Sequence, residues 1–229
     1  FIGSNIIENL IKKKNYKITA TYFKSKPLIK AKNLNYIKLN LINKKELNKI
    51  KSNYDLVFMC AGKIFNKRNK LGIKKANENL IIHENVINHL TQKAKKYVWF
   101  NSCTGYPSKK NKLLETDFFN VPLNNFSIPA KQSRILEKKI IKLCKNFNVK
   151  VLTIRTPEVF GKYDNFNEKN SRDIPILVND YFNCLKKKHF LDIKFKKGYI
   201  FANDLASYTI KLAFKSKLKY SAYNICDDK

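Results

Sequence analysis

Small residues occupy two positions in the sequence where a ligand or a neighbouring strand could approach the main chain closely. Gly3 lies in the opening segment FIGS, which runs directly into a helical pattern. In dinucleotide-binding folds, a glycine here lets the helix pack closely on a strand, and the N-terminus of that helix faces the pyrophosphate. Ala61 and Gly62 follow the apolar run 54–60, at the predicted end of a strand. Each segment taken alone is more often structural.

The cysteines and histidines show no metal-binding pattern. The five cysteines are widely spaced, with no CxxC and no histidine at ligand spacing. His83 and His89 are six residues apart on one predicted helix, so they lie on different faces and are predicted to be structural. The sequence therefore predicts reduced thiols, a cytoplasmic protein and no metal.

Alternating strands and helices must position these residues. Apolar periodicity predicts helices at 4–13, 44–50, 76–95 and 129–146, and strands at 16–22, 35–39, 54–60, 97–100 and 149–154. This order predicts right-handed βαβ crossovers and an α/β fold with a doubly wound parallel sheet. The polar stretch 162–173 is typical of a lid or a substrate-binding segment.

The charge of the chain does not indicate a nucleic-acid partner. The 229 residues carry a formal net charge of +30. Nucleic-acid sites cluster their cations and use arginine at base edges, whereas the lysines here are scattered through every segment and arginine is scarce. A compositional bias toward Lys, Asn and Ile explains the charge. No apolar run approaches the roughly 20 residues that span a bilayer, so no membrane association is expected.

Six segments occur in a familiar order: FIGS, DLVFMCAG, ENLIIHENVI, NSCTGYP, AK and RTPEVFG. They resemble the extended short-chain dehydrogenase/reductases, the NAD-dependent epimerase/dehydratase family, over essentially the whole chain. ENLIIHENVI, the YP of 106–107 and FGKYDNFN at 160–167 are most similar to GDP-fucose synthases. The resemblance implies a Rossmann-type domain over 1–156, with its first strand before Phe1. It also implies a partial substrate-binding region over 157–229, which returns to the Rossmann domain and continues beyond the last residue.

The resemblance also implies a catalytic group. In the family, a Ser or Thr hydroxyl binds the substrate oxygen, a Tyr exchanges a proton, and a Lys lowers the pKa of that Tyr and binds ribose hydroxyls. Ser102 and Lys131 match the first and last positions, but the Tyr position is Ser127. A serine hydroxyl is a much weaker acid than a phenol, whose pKa is about 10. This departure questions oxidoreductase turnover.

Two further positions differ from GDP-fucose synthases, which use a Cys and a His to move protons. The matching residues here are Thr104 and Tyr163, and neither acts readily as a general base near pH 7. Cys103 is one residue away, which reverses its side-chain direction at a strand end. Authentic GDP-fucose synthesis is therefore not expected.

The choice of cofactor depends on the end of the family's second strand. That strand is predicted here at 16–22, since the family's first strand would lie before Phe1. NAD-specific folds usually supply an acidic residue there, whereas residues 21–26 contain no carboxylate and offer Lys24 and Lys26 to a 2′-phosphate. NADP is therefore favoured over NAD. The resemblance assigns further cofactor contacts to Phe1, Ile2, Gly3, Asn40, Leu41, Cys60, Ala61, Gly62, Asn79, Lys131, Thr156 and Pro157, and substrate contacts to Tyr163, Asn165 and Arg155. For Arg155, contact with a substrate phosphate and a local ion pair are equal alternatives.

Two hypotheses for function follow. The first is an NAD(P)-dependent epimerase, dehydratase or reductase that acts on a nucleotide-linked sugar. The second is a dinucleotide-binding protein of the same fold with impaired catalysis, because position 127 is a serine. The family usually dimerises through helices matching 76–95 and 129–146, so a homodimer is expected if Ile135, Ile140 and Leu143 do not all pack inward.

Overall fold

The computed structural model describes residues 1–63, 72–107, 113–120, 122, 126–166, 172–187 and 198–226. Helices and strands alternate along these residues, as the apolar periodicity predicted. The α-helices are α1 Ile2–Leu10, α2 Gly72–Leu90, α3 Ile128–Asn146, α4 Asp173–Lys187 and α5 Ala202–Ala213. The strands are β1 Ile18–Tyr22, β2 Leu34–Lys38, β3 Tyr54–Met59, β4 Ala94–Ser102, β5 Lys150–Thr156, β6 Glu158–Phe160, β7 Tyr199–Phe201 and β8 Ala222–Asn224.

The strands are parallel, and the central sheet has the order β3-β4-β5-β8. Over the described residues, β1 and β2 form a separate parallel pair instead of joining the single sheet that the sequence predicted. Strands β6 and β7, which the sequence did not predict, form a further parallel pair. Side chains bridge β1 and β3, since Ile18 and Phe58 both pack against the cluster that contains Ile6 and Leu10 of α1. The predicted α/β, Rossmann-type fold class is confirmed.

Helices cover both faces of the central sheet. Successive side chains of a strand point to opposite faces, and β4 shows this clearly. Tyr97 and Trp99 lie in the cluster that includes residues of α2 and α3, whereas Val98 and Phe100 lie in the cluster that includes Leu205 of α5. This arrangement makes the sheet doubly wound. Because the strands are parallel, their carboxyl ends lie at one edge of the sheet.

Three predicted helices differ from the structure. Helix α1 spans Ile2–Leu10 and not 4–13, and the helix predicted at 44–50 is a 3₁₀ helix, Lys44–Lys49. Helix α2 begins at Gly72, before the predicted residue 76, and ends at Leu90, because Ala94 already pairs with Tyr54 as the first residue of β4. Within the described residues, no helix combines the length and apolarity that crossing a bilayer requires.

His83 of α2 lies against the core. Its ring contacts Trp99 edge-on, with centroids 5.8 Å apart, and its Nδ1 has no hydrogen-bond partner among the described residues. Burial lowers the pKa of His83 from 6.5 to about 4, because the charged imidazolium loses its hydration there. The structure therefore holds this histidine neutral.

The depressed pKa of His83 predicts how stability depends on pH. The unfolded chain takes up a proton near pH 6.5 and the folded one only near pH 4, so this contribution is present above pH 6.5 and is lost as the pH falls. The loss reaches up to about 3 kcal/mol near pH 4. Urea unfolding at pH 7 and at pH 4.5 should show a smaller fall for His83→Phe than for the wild type. His89→Phe, which keeps His83, should follow the wild type, and equal falls in all three proteins would contradict the prediction.

Candidate active site

Ser102 and Thr104 lie at the carboxyl end of β4, beside Thr156 of β5. Ser102 precedes the 3₁₀ turn Cys103–Gly105, and its Oγ accepts a hydrogen bond from the Thr104 amide at 3.2 Å. Both residues are exposed, whereas Thr156 is buried. Two hydroxyl groups are thus presented to solvent at the edge of the sheet where the sequence predicted a site.

The turn that carries these hydroxyls is held firmly by its neighbours. A Cβ atom at Gly105 would collide with the ring of Phe118, so only glycine fits. Arg134 of α3 donates from Nε to the Gly105 carbonyl at 2.7 Å, and its guanidinium lies over the rings of Phe118 and Phe126. Helix α3 therefore fixes the position of the turn.

Ser127 and Lys131 lie at the N-terminus of α3. Ser127 is the exposed N-cap residue, and no N-cap hydrogen bond is made by its side chain. The Lys131 amide donates to the Ser127 carbonyl at 3.0 Å in the first helical turn. Since residues three and four apart share a helix face, Lys131 lies on the same face as Ser127 and as Arg134, which contacts the turn. The fold thus brings the predicted Ser102, Thr104, Ser127 and Lys131 to one end of α3.

Arg155 of β5 lies beneath this end of α3, with only 3% of its surface exposed. Its guanidinium pairs with the fully buried Glu137 of α3, through Nη2–Oε1 at 2.5 Å and Nε–Oε2 at 3.2 Å. Nη1 donates to the Tyr106 hydroxyl at 2.8 Å and to the Glu115 carbonyl at 2.7 Å. Burial alone would lower the pKa of Arg155, but the interactions with Glu137 outweigh it and raise the pKa. Of the two alternatives for Arg155, the structure shows the local ion pair.

Sequence reasoning missed the residues that surround Arg155. Asn101, Ser133 and Glu137 form a polar layer between β4 and α3, in which Asn101 and Glu137 are buried and Ser133 is half-buried. A signal was present, since residues 133 and 137 continue the helical stripe of the buried residues Ile140 and Cys144. A carboxylate on the apolar stripe of a helix requires a buried partner.

Helix α1 lies close to β3, as the dinucleotide interpretation of Gly3 requires. A Cβ atom at Gly3 would come within 3.3 Å of the Cys60 Cβ atom, so a larger residue would push the helix away. Burial raises the pKa of Cys60 to about 12, which makes it a packing residue and not a nucleophile. No acidic side chain lies in the first turn of α1. The N-terminus of this helix is therefore suited to an anion.

The chain after β3 is anchored by Asn79 of α2. Its side-chain amide donates to the Lys63 carbonyl at 2.8 Å and accepts from the Lys63 amide at 2.6 Å. Gly62 lies next to Asn79, with 3.8 Å between the Asn79 Oδ1 and the position of a Cβ atom. Asn79 thus fixes the main chain that carries Ala61 and Gly62 at the predicted cofactor edge.

Other predicted cofactor residues lie around the ends of β1, β2 and β5. Asn40 accepts a hydrogen bond from the Ile42 amide at 3.2 Å, while Leu41 packs against the core. Pro157 contacts Gly198, where a Cβ atom would lie 3.3 Å from the Pro157 Cβ atom. Lys24 and Lys26 are exposed just after β1.

The predicted substrate residues Tyr163 and Asn165 lie in the segment after β6. Tyr163 has a positive φ of 69°, a strained conformation for a residue with a large side chain. The Asn165 amide donates to Asp164 Oδ1 at 2.8 Å, and Asp164 pairs with Arg172 at 2.7 Å. Residues 167–171 of the predicted polar segment, as well as Asp227 and Asp228, lie outside the described residues.

Several solved structures are similar to this fold. The UDP-N-acetylglucosamine 4-epimerase from Methanobrevibacter ruminantium in complex with UDP-N-acetylmuramic acid shares 20% identity, with a TM-score of 0.78 over 99% of this chain and 73% of that one. A GDP-L-fucose synthetase from Naegleria fowleri bound to NADP shares 14% identity, with a TM-score of 0.71 over 100% of this chain and 74% of that one. The GDP-D-glycero-L-gluco-heptose synthase from Campylobacter jejuni in the presence of NADPH shares 20% identity, with a TM-score of 0.69 over 98% of this chain and 76% of that one.

The sequence of the chain has no significant match among curated proteins. A model of the NAD dependent epimerase/dehydratase family matches residues 1–226, which is almost the whole chain. The chain therefore belongs to the NAD-dependent epimerase/dehydratase family.

Proposed function

We propose that this protein binds a nicotinamide dinucleotide and a nucleotide-linked sugar at the carboxyl edge of its central sheet. The observation that carries the proposal is that Lys131 lies on the same face of α3 as Arg134, which binds the turn after Ser102. Membership of the epimerase/dehydratase family and the nucleotide-sugar enzymes among its structural neighbours support this assignment.

The described residues fit a dinucleotide. Gly3 allows α1 to lie close to β3, and the first turn of α1 offers amide groups and contains no acidic residue. A bound nicotinamide ring supplies the hydride donor or acceptor. Within this chain, Ser102 would bind the substrate oxygen through its hydroxyl, and the ammonium group of Lys131 would bind ribose hydroxyls.

The exposed Ser127 favours impaired catalysis as a second candidate function. Its alkyl hydroxyl cannot exchange a proton as readily as a phenol does. Tyr106 does not replace the missing phenol, because its hydroxyl donates to Asn224 Oδ1 at 2.6 Å and accepts from Arg155. Burial also raises the pKa of Tyr106, which opposes proton release. Binding without efficient turnover is therefore the expected behaviour.

The two candidates are separated by restoring the phenol. Nucleotide sugars are screened with the wild type, Ser127→Tyr and Ser127→Phe while NAD(P)H absorbance is followed. We expect slow or no turnover by the wild type and an increase of about 10²–10⁴-fold for Ser127→Tyr, since positioned acid–base groups contribute that much. Ser127→Phe supplies the ring without the hydroxyl and should not increase turnover.

Lys131→Met provides the binding control in the same experiment. Loss of the ammonium group should weaken dinucleotide binding in calorimetry, even where no turnover is measurable. Ordinary turnover by the wild type, together with a slower Ser127→Tyr, would contradict impaired catalysis. No dinucleotide binding by the wild type would contradict the proposed function itself.

NADP is the proposed cofactor because Lys24 and Lys26 are exposed after β1 and residues 21–26 hold no carboxylate. Calorimetry should show tighter binding of NADP than of NAD. The double variant Lys24→Ala/Lys26→Ala should lose about tenfold in NADP affinity, the value of a charged hydrogen bond of about 1.5 kcal/mol, with NAD affinity unchanged. Lys30→Ala, an exposed lysine farther along the loop, is the control. Equal affinities for the two cofactors in the wild type would contradict the proposal.

A homodimer through α2 and α3 is also proposed. Ile140 is fully buried and Leu143 packs against the core, so these two side chains are used within the protomer. Ile135 and Ile81 are 51% and 42% exposed, one on each helix. Light scattering at micromolar concentration should show a dimer for the wild type and a monomer for Ile135→Lys. Leu28→Lys, a change at an exposed loop residue, should remain dimeric, and a monomeric wild type would contradict the prediction.

A further inference from the structure

Asn101 lies directly before the proposed catalytic Ser102, but its side chain points in the opposite direction, toward α3. The strand register places Asn101 beside Arg155 of β5, and Arg155 beside Asn224 of β8. Only 7% of the Asn101 surface is exposed. A buried amide in this position must satisfy its polar atoms within the protein.

Each end of the Asn101 amide is bound to a different element. Its Oδ1 accepts hydrogen bonds from the Ser102 amide at 2.8 Å and from the Ser133 hydroxyl. Its Nδ2 donates to Glu137 Oε2 at 2.6 Å. The partners leave no freedom in the amide orientation, because the Ser102 N–H requires an acceptor and the Glu137 carboxylate requires a donor. The amide therefore ties the end of β4 to two consecutive turns of α3.

The same helix carries Lys131, two residues before Ser133. Glu137 is held in turn by Arg155, so the helix, β4 and β5 are joined through three buried polar side chains. Any shift of α3 along the sheet would break charged hydrogen bonds that water cannot replace. The relative position of Ser102 and Lys131 thus depends on three buried side chains that lie outside the proposed catalytic group.

We propose that Asn101 and Glu137 are positioning residues that set the Ser102 main chain against the helix that carries Lys131. This inference rests on the proposed function, since it assigns the layer to the dinucleotide site. It predicts that the two residues act as a pair. A change of the donor or acceptor at one residue removes their hydrogen bond, and the reciprocal change at the other residue restores it.

The test exchanges the two chemical groups. Asn101→Asp places a carboxylate against the Glu137 carboxylate. Glu137→Gln leaves its amide NH2 facing a donor in either orientation, the Asn101 amide or the Arg155 guanidinium. The double variant Asn101→Asp/Glu137→Gln restores one donor and one acceptor and keeps the net charge beside Arg155. Ile140→Ala, a buried apolar change one turn beyond Glu137 that leaves every polar group of this layer intact, serves as the control for lost stability. All proteins are compared at a temperature well below their unfolding midpoints.

Two readouts are needed. The first is hydrogen exchange of the Ser102 and Thr104 amides, and the second is the dissociation constant of NADP alone by calorimetry. Each single variant should exchange these amides at least about tenfold faster, the effect of losing one hydrogen bond of about 1.4 kcal/mol, and should bind NADP more weakly. The double variant should recover most of both losses, and Ile140→Ala should show neither.

The possible failures are distinguishable. Wild-type exchange in both single variants, or a double variant no better than the worse single one, would overturn the positioning role. Equal losses in Ile140→Ala would overturn it as well, because general loosening would then explain them. Absence of NADP and NAD binding by the wild type would instead overturn the proposed function, whatever the exchange rates show.

Discussion

The ion pair between Arg155 and Glu137 joins the central sheet to the helix that carries half of the candidate site. Both side chains are almost fully buried, so each charge depends on the other and on the neighbouring hydrogen bonds. Removal of one partner of such a pair costs about 3–5 kcal/mol, because the remaining charge is left without compensation. A well-packed apolar pair would stabilise the fold as effectively, but without directional hydrogen bonds it would not hold α3 in one register against β4.

Sequence patterns predicted much of this architecture because they report on packing. The apolar run at β3 and the alternation of residues 16–22 predicted strands, and the ordered motifs predicted the family. The division into three sheets was not predicted, since apolar periodicity says which side chains are buried and nothing about which strands pair. The C-terminus of helix α2 was predicted too far along the chain, because the buried Thr91 and Ala94 continue the spacing of the buried residues of the helix. The helix ends where pairing with β3 begins.

The candidate site was only partly accessible from the sequence. Ser102, Ser127 and Lys131 were found because they occupy motif positions, and the structure brings them to the same end of α3. Asn101, Ser133 and Glu137 were missed, since they matter through their mutual contacts and the motif does not include them. For Arg155, a substrate contact and a local ion pair were equal alternatives, and the structure shows the ion pair with Glu137, which is 18 residues away. Such pairings follow from tertiary structure, which no local pattern encodes.

Strand β8 contributes Asn224 to the layer below the site, although it is more than a hundred residues away from Tyr106 and Glu115, which it contacts. Contacts over such separations form slowly, because a long loop must close before they repay its entropy. During synthesis, the ribosome releases β4 and α3 well before β8. The Tyr106 hydroxyl therefore lacks its Asn224 acceptor until β8 docks. The order of synthesis thus delays completion of these polar contacts until β8 has been made.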